Sequence, residues 1–154
     1  MEIPIGHSLG GATTAETMYE DSRVRAGLNM DGTVSGPVVT AGLDRPFLLL
    51  GSQEGGRNAD ESWASLWAHL RGPRLDLTLV GSGHLSFTDY QVLLPQAGVS
   101  PEDMVPAFGT IGGERAVAVQ RAYIRAFFDM YIRRRDGRLL AGPSPRYPEM
   151  RFTP

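Results

Sequence analysis

The sequence predicts an α/β domain built around about four mostly parallel strands with flanking helices. Short runs of leucine and β-branched residues alternate with longer helical stretches, which is the pattern of such domains. One of these runs, Phe47–Leu50, is apolar throughout, as expected for a strand buried on both faces of a sheet. A length of 154 residues suits one domain and is enough to bury a hydrophobic core.

Each predicted strand is a short apolar run that ends at or just before a glycine-containing turn. The predicted strands are Ile3–Ile5, Val24–Met30, Pro46–Leu50 and Leu75–Val80. Pro4 lies within the first of them and has no N–H to donate to a neighbouring strand. An edge strand tolerates such a proline, so we expect Met1–Ile5 to form an exposed edge if the chain starts at Met1.

Three helices are predicted. The first follows the first strand and runs to Glu20, and the second covers Asp60–Leu70, where apolar residues recur every three or four positions. The third, Glu114–Arg135, is the most regular, with apolar residues predicted to share one face: Val117, Ile124, Phe127, Phe128 and Tyr131. Three arginines, at 133–135, are expected in its last turn, where cations complement the helix dipole and remain solvated.

The predicted organisation is a partial domain over residues 1–141 followed by a tail over residues 142–154. The tail carries four prolines and is predicted to be an extended surface segment. No apolar run approaches the ~20 residues that a membrane span needs. Met1–Ile5 lacks the long apolar stretch of a signal peptide. The expected compartment is therefore the cytoplasm if the chain starts at Met1, and secretion would require an upstream segment.

Composition and charge exclude several classes of function. A formal net charge of -2 gives no electrostatic footprint for nucleic acid or for an anionic membrane. The absence of cysteine excludes disulfides, thiol catalysis and iron–sulfur clusters. Every basic residue is arginine, which excludes Schiff-base chemistry on lysine and the lysine-dependent phosphate loop. Three histidines are present, without metal-ligand spacing.

The segment Gly6–Gly10 matches G-x-S-x-G, the pattern of a serine held on a sharp turn between a strand and a helix. A predicted strand precedes it and a predicted helix follows, so its context fits. Ser8 is expected in a strained backbone conformation that needs glycine at positions 6 and 10. The Leu9 N–H would lie at the helix N-terminus, where it could donate to an oxyanion. The alternative is a glycine-rich turn without chemistry.

A serine nucleophile needs a base and an acid that orients the base. His84 follows an apolar strand, at the end of a parallel sheet where active sites form, and is the predicted base. His69 is predicted to be a surface residue on a helix, and His7 is predicted to point away from the site.

Two carboxylates are candidates for the acid, because both follow a predicted strand and satisfy the chain order Ser, acid, His. These are Asp31 and Glu54. Asp60 and Asp89 are weaker candidates, because both are predicted to begin helices.

The chain resembles the platelet-activating-factor acetylhydrolase (plasma/isoform II) branch of the α/β-hydrolases, with bacterial lipase- and esterase-like members the most similar. The resemblance rests on four segments: Gly6–Thr13, Leu28–Thr33, Asp44–Leu49 and Gly83–Asp89. It covers nearly all of this chain but only the C-terminal half of the family's domain. The fold implied is therefore the C-terminal half of an α/β-hydrolase.

The resemblance implies carboxylic-ester hydrolysis through an acyl-enzyme, with Ser8 as nucleophile, Asp31 as acid and His84 as base. In this branch the acid follows the strand after the first helix, whereas the wider fold often places it one strand later, at Glu54. The implied reaction needs no metal or organic cofactor, and its substrate is a small ester or lipid. The acyl group is predicted to meet Val34, Leu85 and Phe87.

Two other functions remain open on the sequence. The chain could be an inactive remnant or an interaction module that pairs through an open sheet edge. It could also be a thioesterase or polyester hydrolase with the same three residues. If the chain starts at Met1, the loop that gives the second oxyanion donor lies outside it. Weak activity of the chain alone and homo-oligomers formed through the exposed edge are then expected.

Overall fold

The computed structural model describes residues 4–154 and has one five-stranded sheet. The strands are β1 (Ile5–His7), β2 (Gly27–Met30), β3 (Phe47–Gly51), β4 (Arg74–Leu79) and β5 (Met150–Phe152). They lie side by side in chain order, with β1 to β4 parallel and β5 antiparallel to β4. The predicted α/β class is confirmed, and the sheet has one strand more than predicted.

Six α-helices connect or follow these strands. They are α1 (Leu9–Glu20), α2 (Val38–Ala41), α3 (Glu61–His69), α4 (Tyr90–Gln96), α5 (Pro101–Phe108) and α6 (Gly113–Tyr131). Short 3-10 helices cover His84–Phe87 and Arg138–Leu140. The sequence predicted α3 almost residue for residue and a helix start at Asp89, immediately before α4. It did not predict α5, whose helical pattern is interrupted by Pro106.

The sheet forms the middle layer of three. On one face, Leu28, Leu48 and Leu50 of the sheet pack against α6. On the other face, Phe47 and Leu49 pack against α1, α2 and α3. The β3 residues alternate between these two clusters and are fully buried, which confirms the prediction of a strand covered on both faces.

The buried face of α6 differs from the predicted one. The residues that enter the core are Ala116, Val119, Gln120, Tyr123 and Phe127. Of the predicted set, only Phe127 is fully buried, whereas Val117, Ile124 and Phe128 line an open groove on the neighbouring side of the helix. Two apolar stripes occur on this helix, and the spacing alone does not show which one faces the sheet. The helix also ends at Tyr131, so the arginines at 133–135 lie beyond its last turn.

The bounds of the first two strands differ from the predicted ones within the described residues. Ile3 lies outside the described residues, and β1 covers Ile5–His7, with the Pro4 carbonyl accepting from the β2 residue Leu28. Within residues 4–154, β1 pairs with β2 on one side and has no strand on the other. Pairing of β2 with β3 starts only at Gly27, and the carbonyl of Val24, before it, accepts from the Arg45 guanidinium.

The expectation that residues 142–154 lie on the surface is wrong for their last part. Met150 pairs with Leu79 of β4 and is only 2% exposed. The Phe152 ring contacts the ring of Tyr123 on α6. The prolines permit this strand because they precede or follow it rather than interrupting it. In the described part of the chain, no helix is both long and apolar enough to cross a bilayer.

Candidate active site

Ser8 lies on the sharp turn that joins β1 to α1. Its backbone has φ 56° and ψ -124°, a combination that a residue with a side chain rarely adopts. The turn is held because the Ser8 N–H donates to the Met30 carbonyl and the Ser8 carbonyl accepts from the Gly11 N–H, both at 2.9 Å. The strained conformation predicted for Ser8 is therefore present.

Glycines allow the backbone to pass this close to Ser8. A Cβ on Gly6 would lie 2.0 Å from the Gly10 carbonyl carbon, and one on Gly11 would lie 1.8 Å from Asn29 Oδ1. A Cβ on Gly32 would lie 2.0 Å from the Ser8 carbonyl oxygen. At Gly10, by contrast, a Cβ would meet no described atom within 4 Å. The prediction that position 6 requires glycine is confirmed. The same prediction for position 10 is wrong, and position 11 requires glycine instead.

A line of hydrogen bonds connects Ser8, His84 and Asp31. His84 Nε2 lies 3.1 Å from Ser8 Oγ, and His84 Nδ1 lies 2.8 Å from Asp31 Oδ2. A carboxylate only accepts, so Nδ1 carries the proton of a neutral imidazole and Nε2 is free to accept from the serine hydroxyl. The Asp31 side chain is 9% exposed and that of His84 is 47% exposed. The imidazole is therefore nearly half open to solvent.

Asp31 is fixed by the ends of two strands. Its backbone has φ 54°, and its N–H donates to the carbonyl of Leu50 at 2.9 Å. Its Oδ1 accepts from the Ser52 N–H at 2.8 Å, which leaves Oδ2 for the imidazole. Glu54, the alternative acid, is exposed and pairs with the Gln53 side chain rather than with His84. The structure brings Asp31, and not Glu54, to His84.

Buried polar groups hold the short helix that begins at His84. Ser86 Oγ accepts from the Gly83 N–H at 3.1 Å and donates to the Phe108 carbonyl at 2.6 Å. Gln120 Nε2, on α6, donates to the Ser86 carbonyl at 2.8 Å. Sequence reasoning missed this anchor. Its signal is a glutamine on the apolar side of an otherwise amphipathic helix.

The positions of the other two histidines, His7 and His69, differ from those predicted. His7 does not point away from the site, because its Nε2 lies 2.8 Å from the His84 carbonyl oxygen and the two ring centroids are 4.5 Å apart. His69 is half-buried rather than on the surface, and its Nδ1 contacts the Ser65 carbonyl one turn earlier in α3. The prediction for His7 failed because the His7 side chain reaches the loop after β4, which is distant in sequence.

Asp60 and Asp89 begin helices, as predicted, but only Asp60 forms a cap. Asp60 accepts from the Ser62 N–H at 2.8 Å and from Thr33 Oγ1 at 2.7 Å. Burial opposes ionisation of Asp60, but hydrogen bonds from Ser62 and Thr33 outweigh it and lower the pKa of the carboxyl. Asp89 makes no side-chain capping bond.

A cleft of about 400 Å³ lies beside His84. Among the residues that line it are Asp31, Thr33, Ser52, Glu54, Trp63 and His84. Val34, Leu85 and Phe87, predicted to form the acyl pocket, do not line it. Val34 and Phe87 are buried in clusters on opposite faces of the sheet, so they cannot share one surface. In residues 4–154, no group of three or more histidine or acidic side chains is arranged to hold a metal.

The parallel sheet and the strained serine between strand and helix define an α/β-hydrolase. A family model described as platelet-activating factor acetylhydrolase, isoform II, matches residues 2–129. The chain belongs to this family, as the resemblance in sequence indicated.

Individual proteins with similar sequences carry related names. A protein of Arthroderma benhamiae, named probable 1-alkyl-2-acetylglycerophosphocholine esterase, is 30% identical over 96% of this chain and 42% of its own length. The platelet-activating factor acetylhydrolase of Cavia porcellus is 27% identical over 83% of this chain and 29% of its own length.

A solved structure, the ferulic acid esterase from Streptomyces cinnamoneus, superposes with a TM-score of 0.84 at 38% identity. The match covers 97% of this chain and 46% of that one. This chain therefore spans less than half the length of the relatives and of the solved structure that it matches.

Proposed function

We propose that this chain supplies the serine, histidine and aspartate of a carboxylic-ester hydrolase. The observation that carries the proposal is the continuous hydrogen-bonded line from Ser8 Oγ through His84 to Asp31 Oδ2. The line lies at the carboxyl ends of parallel strands, where such sheets form their active sites. The same three residue types in the same chain order act in other α/β-hydrolases.

In the proposed reaction, Ser8 Oγ attacks the carbonyl carbon of the ester while its proton passes to His84 Nε2. Asp31 holds the Nδ1–H and stabilises the imidazolium that forms. His84 then gives its proton to the departing alcohol, which leaves the acyl group on Ser8. A water molecule, deprotonated by His84, releases the acid and restores the serine.

The tetrahedral oxyanion is proposed to bind at the N-terminus of α1. Leu9 is the first residue of that helix, so its N–H has no acceptor within the helix and points toward the Ser8 turn. The first turn of α1 contains no acidic residue that would repel the negative charge. Leu9 is 80% exposed, and the role proposed for it belongs to its backbone N–H.

The proposed substrate is a small-molecule carboxylic ester. The names of the similar proteins support this class, because each is an esterase or an acetylhydrolase. Cleavage of a thioester or of a polyester would use the same three side chains. Rates on p-nitrophenyl acetate and on its thioester counterpart distinguish a thioesterase from a simple esterase. Self-association through the outer edge of β1 remains a prediction, which sedimentation velocity tests.

The test of the proposal is Ser8→Ala, assayed on p-nitrophenyl acetate beside Ser65→Ala, a helix serine outside the site. Loss of the nucleophile is expected to lower kcat by several orders of magnitude, on the order of 10³ or more, and Ser65→Ala to leave it unchanged. An organophosphonate is expected to label Ser8, which mass spectrometry of the digested protein detects. Full activity of Ser8→Ala, or labelling of another serine, would contradict the proposal.

A further inference from the structure

His7 connects the turn that carries Ser8 to the loop that carries His84. It is the last residue of β1, paired in register with Met30, so its backbone is fixed by the sheet. Its side chain reaches 2.8 Å from the His84 carbonyl oxygen. Its ring lies 4.5 Å from the His84 ring and 5.9 Å from the Phe87 ring, which places it against both ends of the short helix His84–Phe87.

The hydrogen bond has only one direction. A carbonyl oxygen accepts and cannot donate, so His7 Nε2 must carry a proton and donate it to the His84 carbonyl. Burial of the ring, together with the nearby His84, lowers the pKa of His7. A neutral ring is suited to this place, since a second positive charge would oppose protonation of His84.

We propose that His7 is a positioning residue that holds His84 at hydrogen-bonding distance from Ser8 Oγ. The inference rests on the proposed function, and it adds a role to the residue before the serine. The His84 loop is also anchored through Ser86 and Gln120 on the side toward α6. On the side toward β3, Gln53 accepts from the Gly81 N–H and donates its own N–H to the Ser82 carbonyl. His7 supplies a support from β1 at the backbone of His84 itself, whose side chain is nearly half exposed.

Two substitutions separate the hydrogen bond from the packing of the ring. His7→Phe keeps an aromatic ring against Phe87 but removes the donor. His7→Gln removes the ring but keeps an N–H donor that can reach the same carbonyl. His69→Gln, in α3 away from the site, is the matched control. Thermal unfolding of all three variants shows whether each still folds.

If the hydrogen bond positions His84, His7→Phe lowers kcat on p-nitrophenyl acetate by about fivefold to tenfold, the effect expected from one neutral hydrogen bond. KM stays within about twofold, because no substrate contact is lost. His7→Gln retains most of the wild-type kcat. A wild-type kcat in His7→Phe, or a kcat in His7→Gln as low as that in His7→Phe, would overturn the proposal.

A spectroscopic measurement gives the same answer without turnover. In protein with ¹⁵N-labelled histidine, the Nδ1–H that His84 shares with Asp31 gives a low-field proton resonance. We expect this resonance to broaden or disappear in His7→Phe and to persist in His7→Gln. Its persistence unchanged in His7→Phe would show that His7 does not position the ring. If the proposed function itself is wrong, a different result is expected: Ser8→Ala hydrolyses p-nitrophenyl acetate as fast as the wild type.

Discussion

Two aspartates on or next to the strands that flank β3 differ in their hydrogen-bond partners and in their position along the strand. Asp31 follows the end of β2, and both of its carboxylate oxygens are bonded, one to the Ser52 N–H and one to His84. Asp76 lies within β4, where its side chain is 2% exposed and pairs with the Arg57 guanidinium through Oδ2. Its Oδ1 is buried and has no hydrogen-bond partner among the described residues.

The difference shows how position along a parallel strand determines what a carboxylate can do. At the carboxyl end, Asp31 faces a cleft and an imidazole that is nearly half exposed. In mid-strand, Asp76 faces a cation that is itself stacked on the Trp67 ring at 4.2 Å. Burial raises the pKa of Asp76, and the Arg57 guanidinium offsets part of that rise. We expect Asp31 to matter for activity and Asp76 for stability.

The largest expected effect is that of Asp31→Asn on activity. An amide at this position cannot hold the Nδ1–H tautomer of His84 as a carboxylate does, so kcat on p-nitrophenyl acetate is expected to fall about 10⁴-fold. Urea unfolding should change little, because the substitution keeps the shape of the side chain. A variant that keeps its activity would remove Asp31 from the proposed mechanism.

Asp76→Asn is expected to have the second largest effect, on stability rather than on chemistry. It leaves Arg57 without its charge partner in a mostly buried place, which costs about 3 kcal/mol of the free energy of unfolding. Urea unfolding followed by circular dichroism measures this loss. Activity per folded molecule should equal that of the wild type, and a large drop in kcat would break the contrast between the two aspartates.

A third aspartate, Asp60, sharpens the comparison because it is a helix cap near the same cleft. Asp60→Ala is expected to cost about 1 kcal/mol of stability through loss of the cap to α3. The pKa of Asp60 is lowered in the folded protein, so its contribution is complete above the unfolded pKa and is lost as the pH falls through the folded pKa. The stability difference between wild type and variant should therefore shrink in acid, as chemical denaturation at several pH values would show. A difference that grows in acid would contradict this assignment.

The smallest expected effect is that of Glu54→Gln. Glu54 is exposed and does not contact His84, so kcat is expected to fall by less than about tenfold. Measured beside Asp31→Asn under the same conditions, it ranks the two candidate acids directly. The reverse ranking would move the proposed acid to the loop after β3.

Much of the fold could be predicted because its signals are local. The run at Phe47–Leu50 and the spacing of Trp63 and Leu66 identify a buried strand and a helix without knowledge of their neighbours. β5 could not be predicted, since a three-residue strand among prolines is stabilised by pairing with β4, which is distant in sequence. The prediction of which face of α6 is buried failed for a related reason. Val117 and Val119 are equally apolar, and only the packing of the sheet decides which one is buried.

In the candidate site, too, features set by neighbouring residues could be predicted, whereas features set by contacts distant in sequence could not. The strain at Ser8 is visible in the sequence, because the residues around it are glycines before a helical stretch. The choice between Asp31 and Glu54 was open from residue types, and only the resemblance to a family favoured one. His7 and Gln120 escaped prediction because their roles depend on contacts with the His84 loop, 77 residues from His7 in sequence.

The crowding of backbone around Ser8 has a consequence for large mutational surveys. Gly6, Gly11 and Gly32 take part in no chemistry, yet a methyl group at any of them would lie within about 2 Å of a neighbouring atom. A survey scored by activity alone would rank these glycines with Ser8 and His84. Scoring cellular abundance in parallel would separate them, because glycine variants would lose abundance and activity together, whereas variants of the reacting residues would remain abundant and inactive.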